Sequence, residues 1–75
     1  MNVVSIIGRK NCKWCREARK LAREVADSVI YKDLDAPANS ALREWFRVED
    51  IKTVPQIFAD GEHVGGFEEF AKRVG

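Results

Sequence analysis

The stretch VVSIIGRKNCKWCREARKLAREVADSVIYKDL, residues 3–34, decides the fold of this 75-residue chain. It begins with the β-branched run Val3–Ile7, which is typical of a buried strand, and a second strand is predicted over Val29–Leu34. Between them a helix is predicted from Lys13 to near Asp27, because apolar residues recur at helical spacing at Trp14, Ala18, Leu21, Ala22 and Val25. Strand, helix and strand in this order form a βαβ unit with parallel strands and a right-handed crossover.

A second helix is predicted after the βαβ unit. Asp35 is the expected N-cap, and Pro37 suits the first turn because a helix start leaves its N–H groups free. Apolar residues then follow at helical spacing at Ala38, Ala41, Leu42, Trp45 and Phe46. We expect the last two, an aromatic pair, to lie in the core, and Val48–Thr53 to form a polar connection.

The last third of the chain predicts a hairpin and a short helix. Asp60-Gly61 favours a two-residue turn between strands at Gln56–Ala59 and Glu62–Val64. Gly65-Gly66 then precedes a helix with apolar residues at Phe67, Phe70, Ala71 and Val74. The predicted fold is α/β with the order β-α-β-α-β-β-α, a four-stranded mixed sheet with helices on both faces. We expect residues 1–75 to form a single domain, since a chain of this length builds one small core.

Charge is divided unevenly along the chain. The 13 Lys and Arg and 12 Asp and Glu residues give a net charge of +1, but residues 9–23 carry +6 and the remainder −5. The common explanation of such a basic run is a solvated helix face, which we expect for Arg19, Lys20 and Arg23. Because the acidic remainder repels phosphates, nucleic-acid binding is not expected. No apolar run approaches the about 18 residues of a membrane span, and the N-terminus lacks a signal-peptide pattern, so we expect a cytoplasmic protein.

The two cysteines, Cys12 and Cys15, lie inside the basic run as CKWC. Structural zinc needs four ligands, and the chain adds only the distant His63, which is expected to be an exposed hairpin residue; no metal is therefore expected. A structural disulfide across so short a loop would add little stability. A C-x-x-C pair beside a βαβ pattern favours a redox-active dithiol.

The predicted position of the pair suits redox chemistry. Cys12 falls where the helix begins, and free backbone N–H groups and the positive helix end stabilise a thiolate there. Cationic neighbours should lower the pKa of the thiol further, namely Arg9, Lys10, Lys13 and Arg16. We assign Cys12 as the nucleophile that attacks a disulfide and Cys15 as the thiol that resolves the mixed disulfide.

The chain resembles the glutaredoxins, compact members of the thioredoxin-fold superfamily. IIGRKNCKWC resembles the family's opening strand and dithiol, Thr53-Val54-Pro55 resembles its cis-proline loop, and DGEHVGG with the following Phe67 resembles its hairpin and last helix start. The resemblance implies a monomeric thiol–disulfide oxidoreductase that uses glutathione as co-substrate and reduces protein disulfides, such as that of ribonucleotide reductase, and glutathione mixed disulfides.

The resemblance also implies where glutathione binds. Pro55 would be cis, which leaves the backbone of Val54 free to pair with the glutathione cysteine, and Thr53 would line the groove. Arg9 would pair with the glycine carboxylate, for which an arginine is well suited.

The γ-glutamyl end of glutathione would lie at the last helix. Backbone N–H groups at Gly66 and Phe67 would bind its carboxylate, and Glu68 would pair with its ammonium. Glu68 and Glu69 could instead serve only as partners of the helix dipole. Trp14 departs from the family's usual C-P-Y-C centre, and either contacts a partner or packs in the helix stripe.

Two other functions stay open. One is a glutaredoxin-like protein that thioredoxin reductase recycles, since HVGGFEE shares half of the segment found in such proteins. The other is a dimer that carries a [2Fe–2S] cluster on Cys12 and glutathione thiols, although one chain cannot supply the four thiolates that such a cluster needs.

Overall fold

The computed structural model describes all residues, 1–75. Its element order agrees with the predicted β-α-β-α-β-β-α, apart from an added turn of 3₁₀ helix at Pro37–Asn39. The elements are β1 (Val3–Gly8), α1 (Lys13–Val25), β2 (Ser28–Asp33), α2 (Ser40–Val48), β3 (Gln56–Ala59), β4 (Glu62–Gly65) and α3 (Phe67–Val74). No helix is both long and apolar enough to cross a membrane.

The four strands form one mixed sheet in the order β2-β1-β3-β4. β1 is parallel to β2 and antiparallel to β3, and β3 is antiparallel to β4. Val4 and Ile6 of β1 are fully buried in a cluster with Phe70 of α3, whereas Ile7 packs with Phe46 of α2 on the opposite face. Burial on both faces explains why β1 is a continuous apolar run. The predicted α/β fold, a four-stranded mixed sheet with helices on both faces, is thus confirmed.

The strand register brings three chain segments together at one edge of the sheet. Ile7 near the end of β1 lies opposite Gln56 at the start of β3, and Ile57 lies opposite Gly65 at the end of β4. The loop after β1, the loop before β3 and the start of α3 therefore meet there. These loops hold the cysteines, the Thr53–Pro55 segment and the Gly66-Phe67 pair.

The start of the second helix differs from the prediction. Asp35 does not cap it, and its carboxylate instead contacts the Arg9 Nε at 3.1 Å. Ala36 is extended (ψ 139°) because Pro37 follows it, and the α-helix begins only at Ser40. The predicted N-cap was wrong because the proline moved the helix start beyond the reach of Asp35.

The hairpin turn has a second role that the sequence did not indicate. Asp60 and Gly61 both have positive φ angles, 50° and 86°, as a tight two-residue turn requires. The Asp60 Oδ1 also accepts hydrogen bonds from the backbone N–H of Asn2 (3.0 Å) and Val3 (2.8 Å). The turn thereby holds the beginning of β1.

Candidate active site

The two cysteines lie at the start of α1 and form a disulfide. Cys12 is the N-cap residue, and its Sγ accepts a hydrogen bond of 3.1 Å from the Cys15 backbone N–H. Helix starts leave such N–H groups without intrahelical partners, so this one is free to stabilise the sulfur. Cys15 is only 1% exposed, whereas Cys12 is half-buried. Cys12 is therefore the more exposed of the two cysteines.

Gly8, the last residue of β1, leaves room for this disulfide. A Cβ atom at Gly8 would lie 2.8 Å from the Cys15 Sγ and 2.6 Å from the Tyr31 hydroxyl oxygen. Carbon atoms do not approach other heavy atoms so closely without strain. The end of β1 can therefore pass the buried sulfur only because residue 8 has no side chain.

The Thr53–Pro55 segment lies beside the exposed sulfur. The Val54–Pro55 peptide bond is cis, as the resemblance implied. The Val54 carbonyl oxygen is 4.0 Å from the Cys12 Sγ, and Pro55 is buried. The backbone of Val54 thus borders the reactive position directly.

A buried amide supports this segment. Gln56 is 6% exposed, and its Nε2 donates to the Thr53 carbonyl oxygen at 3.0 Å. Its Oε1 lies 2.8 Å from the Nε2 of His63, so His63 Nε2 is the donor of that bond. The His63 ring also stacks on Phe58, with centroids 4.8 Å apart. Sequence analysis missed Gln56, although a polar residue in the apolar strand QIFA was a usable signal.

A groove of about 740 Å³ lies on the α3 side of the disulfide, and we call it the α3 groove. It is lined by Trp14, Thr53, Val54, Pro55, Gly66, Phe67, Glu68, Glu69, Ala71 and Lys72. All the predicted glutathione-binding residues except Arg9 are therefore brought together.

Trp14 forms one wall of the α3 groove. Its side chain is 51% exposed, and its ring lies 5.2 Å from that of Phe67. The alternative in which Trp14 packs in the buried stripe of α1 is therefore wrong. Trp14 lies in the first turn of α1, and the buried residues of this helix are Cys15, Ala18 and Ala22.

The start of α3 differs in one detail from the expectation. The Glu69 Oε1 accepts a hydrogen bond of 2.8 Å from the Gly66 N–H. That N–H is therefore already engaged, and the predicted Gly66 donor is not free. The N–H groups of Phe67 and Glu68 are also in the first turn, where a helix offers no backbone partner. Glu68 itself is exposed and lies 3.5 Å from Lys72.

A second cavity, of about 350 Å³, lies on the β2 side of the disulfide, and we call it the basic cleft. It is lined by Arg9, Lys10, Asn11, Cys12, Cys15, Arg16, Arg19 and Tyr31. It shares no lining residue with the α3 groove. The disulfide thus lies between two cavities of different composition.

Tyr31 forms the floor of the basic cleft. Its hydroxyl donates to the Arg9 carbonyl oxygen at 3.3 Å, and the Arg19 guanidinium lies 4.3 Å from the centre of its ring. The pKa of Tyr31 is raised, mainly by burial. The Arg19 guanidinium lowers it and Asp33 raises it, but both effects are smaller than that of burial. Arg19 was expected to be solvated surface, but its contact with the aromatic ring holds it at the cleft.

Arg9 does not line the α3 groove. It lines the basic cleft and a third cavity of about 320 Å³, and this third cavity shares Thr53 and Val54 with the α3 groove. Its Nε contacts Asp35, and its two terminal nitrogens have no ion-pair partner. No group of three or more His, Cys, Asp or Glu side chains is arranged to hold a metal ion.

Comparison with known proteins identifies clear relatives. Residues 4–64 match the family model described as Glutaredoxin. Glutaredoxin 1 of Escherichia coli (strain K12) is 35% identical over 72 residues, which cover 88% of this chain and 85% of that protein. The structure of oxidised Escherichia coli glutaredoxin is similar, with a TM-score of 0.76 and 31% identity, over 96% of this chain and 92% of that one. A buckwheat glutaredoxin–glutathione complex shares the fold, with a TM-score of 0.78 at 19% identity, over 95% of this chain and 66% of that one.

Proposed function

The chain belongs to the glutaredoxin family and is a thiol–disulfide oxidoreductase, and we propose that glutathione is its reductant. In this proposal it reduces protein disulfides through both cysteines and glutathione mixed disulfides through Cys12 alone. The observation that carries the proposal is the position of Cys12, whose Sγ lies 4.0 Å from the Val54 carbonyl oxygen at the border of the α3 groove. A ligand in that groove would have the Val54 backbone to pair with and the Cys12 sulfur next to Val54 to react with.

The proposed reduction of a protein disulfide has two steps. The Cys12 thiolate attacks one substrate sulfur, a Cys12–substrate disulfide forms, and the other sulfur leaves as a thiolate that takes up a proton. The Cys15 thiol then loses its proton, and its sulfur attacks the Cys12 Sγ, which releases the second substrate thiol. Two electrons have passed to the substrate, and the Cys12–Cys15 disulfide seen in this structure is the oxidised product.

Two glutathione molecules would return the protein to its reduced state. The first thiolate attacks the Cys12 Sγ, so that glutathione becomes bound to Cys12 and Cys15 leaves as a thiol. The second attacks the sulfur of the bound glutathione, which forms glutathione disulfide and frees the Cys12 thiolate. The helix start around Cys12 favours this leaving group, because its free N–H groups and positive end stabilise a thiolate.

The groove offers matching groups along a bound tripeptide. Val54 would pair with the backbone of the glutathione cysteine, with Trp14, Thr53 and Pro55 as surrounding walls. The N–H groups of Phe67 and Glu68 would bind the γ-glutamyl carboxylate.

Charged side chains would hold the two ends of glutathione. The Glu68 carboxylate would pair with the ammonium at the γ-glutamyl end. At the other end, the free terminal nitrogens of Arg9 would bind the glycine carboxylate, since only its Nε is occupied by Asp35.

The resemblance suggests ribonucleotide reductase as one protein substrate of a cytoplasmic, monomeric enzyme.

The experiment that tests the proposal compares two reductants. Reduction of a small disulfide is followed as NADPH oxidation, with either glutathione and glutathione reductase or thioredoxin reductase alone. We expect turnover only in the first system, and none with a Cys12→Ser control. Turnover only with thioredoxin reductase would overturn the proposal and favour the alternative reductant. A visible absorbance band in anaerobically purified protein would indicate a cluster carrier instead.

A further inference from the structure

The basic cleft carries positive charge that the protein itself does not neutralise. Four cations line it, Arg9, Lys10, Arg16 and Arg19, and no carboxylate does. Of these only Arg9 forms an ion pair within the chain, with Asp35. Asp33 lies near the floor and influences Tyr31, but its Oδ1 accepts the Asp35 N–H and does not contact the cations. An anion in the cleft would therefore meet three unpaired cations.

The cleft is also placed to act on the reaction. Both Cys12 and Cys15 line it, so a chain whose disulfide reaches the Cys12 Sγ passes close to it. The α3 groove, which the proposed function assigns to glutathione, lies on the other side and shares none of its residues. Apart from Arg9, which would bind the glycine carboxylate, the glutathione proposal assigns no ligand to the cations of the basic cleft, namely Lys10, Arg16 and Arg19.

We propose that the basic cleft docks an acidic segment next to the disulfide of a protein substrate. This inference deepens the proposed function and rests on it in assigning the α3 groove to glutathione. Exposed charges at a binding surface act over about 10 Å at moderate salt and mainly speed association with partners of opposite charge. Acidic protein segments are favoured over nucleic acid because Cys12 and Cys15 both line the cleft, and a protein partner can bring a disulfide to them whereas a nucleic acid cannot.

The test uses two peptides, each with one internal disulfide. They are identical except that the residues flanking the cysteines are Asp and Glu in one and Asn and Gln in the other. Single-turnover reduction is measured with protein that was pre-reduced by dithiothreitol, so no glutathione is needed. The readout is the ratio of second-order rate constants, acidic over neutral peptide, in which any change in the reactivity of Cys12 cancels.

The variants separate the cleft from the general charge of α1. Arg16→Gln/Arg19→Gln removes two cleft cations, and Lys20→Gln/Arg23→Gln removes two exposed cations of the same helix that do not line the cleft. We expect the first variant to lower the ratio by about five- to tenfold and the second by less than about twofold. Raising NaCl from about 50 to about 500 mM should lower the wild-type ratio toward one, because salt screens exposed charges.

Several results would overturn the inference. A wild-type ratio near one, an equal fall in both variants, or no fall in the Arg16/Arg19 variant would each exclude docking in the cleft. Competition by a short single-stranded oligonucleotide that is lost in the same variant would assign the cleft to nucleic acid instead. Failure of the glutathione assay alone, with the ratio intact, would overturn the choice of reductant and leave the cleft assignment standing.

Discussion

The two sides of the Cys12–Cys15 disulfide are lined by different kinds of groups. On the α3 side, the wall near Cys12 is backbone and buried groups, with Pro55 buried and the Thr53 carbonyl held by the buried Gln56. On the β2 side, four of the eight lining residues are cations, and Tyr31 lies among them. In our proposals, the first side binds glutathione mainly by shape and backbone pairing, and the second side binds acidic segments by charge. One disulfide would then serve a small constant ligand and variable protein partners, because these two criteria act on opposite sides.

The largest expected effect removes what both sides share. Cys12→Ser should lower activity on every disulfide by at least about a thousandfold, because a serine hydroxyl does not ionise near neutral pH. The measurement is the glutathione-coupled assay with a small disulfide and with the acidic peptide. A circular-dichroism spectrum that matches the wild type confirms the fold, and retention of a tenth of the activity would contradict the nucleophile assignment.

Cys15→Ser separates two classes of substrate. Protein-disulfide reduction should fall by at least about tenfold, because no second thiol is left to resolve the mixed disulfide. Removal of glutathione from a glutathionylated protein should persist, since it uses Cys12 alone. Equal loss for the two substrates would show that buried Cys15 has a structural role beyond resolution.

Gln56→Leu tests the rigid side of the comparison. The substitution leaves the Thr53 carbonyl without its donor, and the cost should be about 1–3 kcal/mol of unfolding free energy. The KM for glutathione should rise with it, because Thr53 lines the α3 groove. Urea unfolding and coupled kinetics measure the two effects.

His63→Ala provides the matched control for Gln56→Leu. Its ring is exposed, so water can replace its bond to Gln56, and a smaller loss of stability is expected. A Gln56→Leu protein as stable as wild type would contradict the supporting role of this amide.

Glu69→Ala should weaken the start of α3. The Gly66 N–H loses its partner, and loss of a helix cap of this kind costs about 1 kcal/mol. Glu68→Ala is the matched control, since its exposed contact with Lys72 is worth less than about 0.5 kcal/mol. Comparable losses in urea unfolding for the two variants would remove the distinction that the structure draws between these glutamates.

The smallest expected effect is a change in the pKa of Tyr31, which reports the electrostatic field in the basic cleft. Tyr31 is the only tyrosine, so an ultraviolet titration follows it alone. Because burial raises its pKa, its titration should lie above that of the unfolded chain, and Arg19→Gln should raise the pKa further whereas Asp33→Asn should lower it. Its contribution to stability is then complete below pH 10.0 and decreases as the pH rises through the folded-state pKa. A lower pKa in the Arg19 variant would contradict the position of the guanidinium over the ring.

Most elements of the fold could be predicted from sequence patterns within each element. The features that sequence analysis missed are side-chain pairings between residues far apart in the chain. The β-branched run of β1 and the apolar spacing of α1 predict their elements because each depends on residues close in sequence. The pairing of Arg9 with Asp35 and of Gln56 with His63 joins residues from different elements, and no spacing rule indicates it. The basic run was visible in the sequence, but the fold decides that Arg16 and Arg19 line the cleft while Lys20 and Arg23 do not.

Gly8 limits how this protein can be redesigned. Apart from Arg9, which the proposed function assigns to glutathione, groove residues and cleft cations can be exchanged independently, because the two cavities have no lining residue in common. Position 8 offers no such freedom, since any added side chain would meet both the buried sulfur of Cys15 and the ring of Tyr31. A redesign of specificity can therefore change the α3 groove or the basic cleft, but it must keep glycine at position 8, where the Cys12–Cys15 disulfide meets Tyr31.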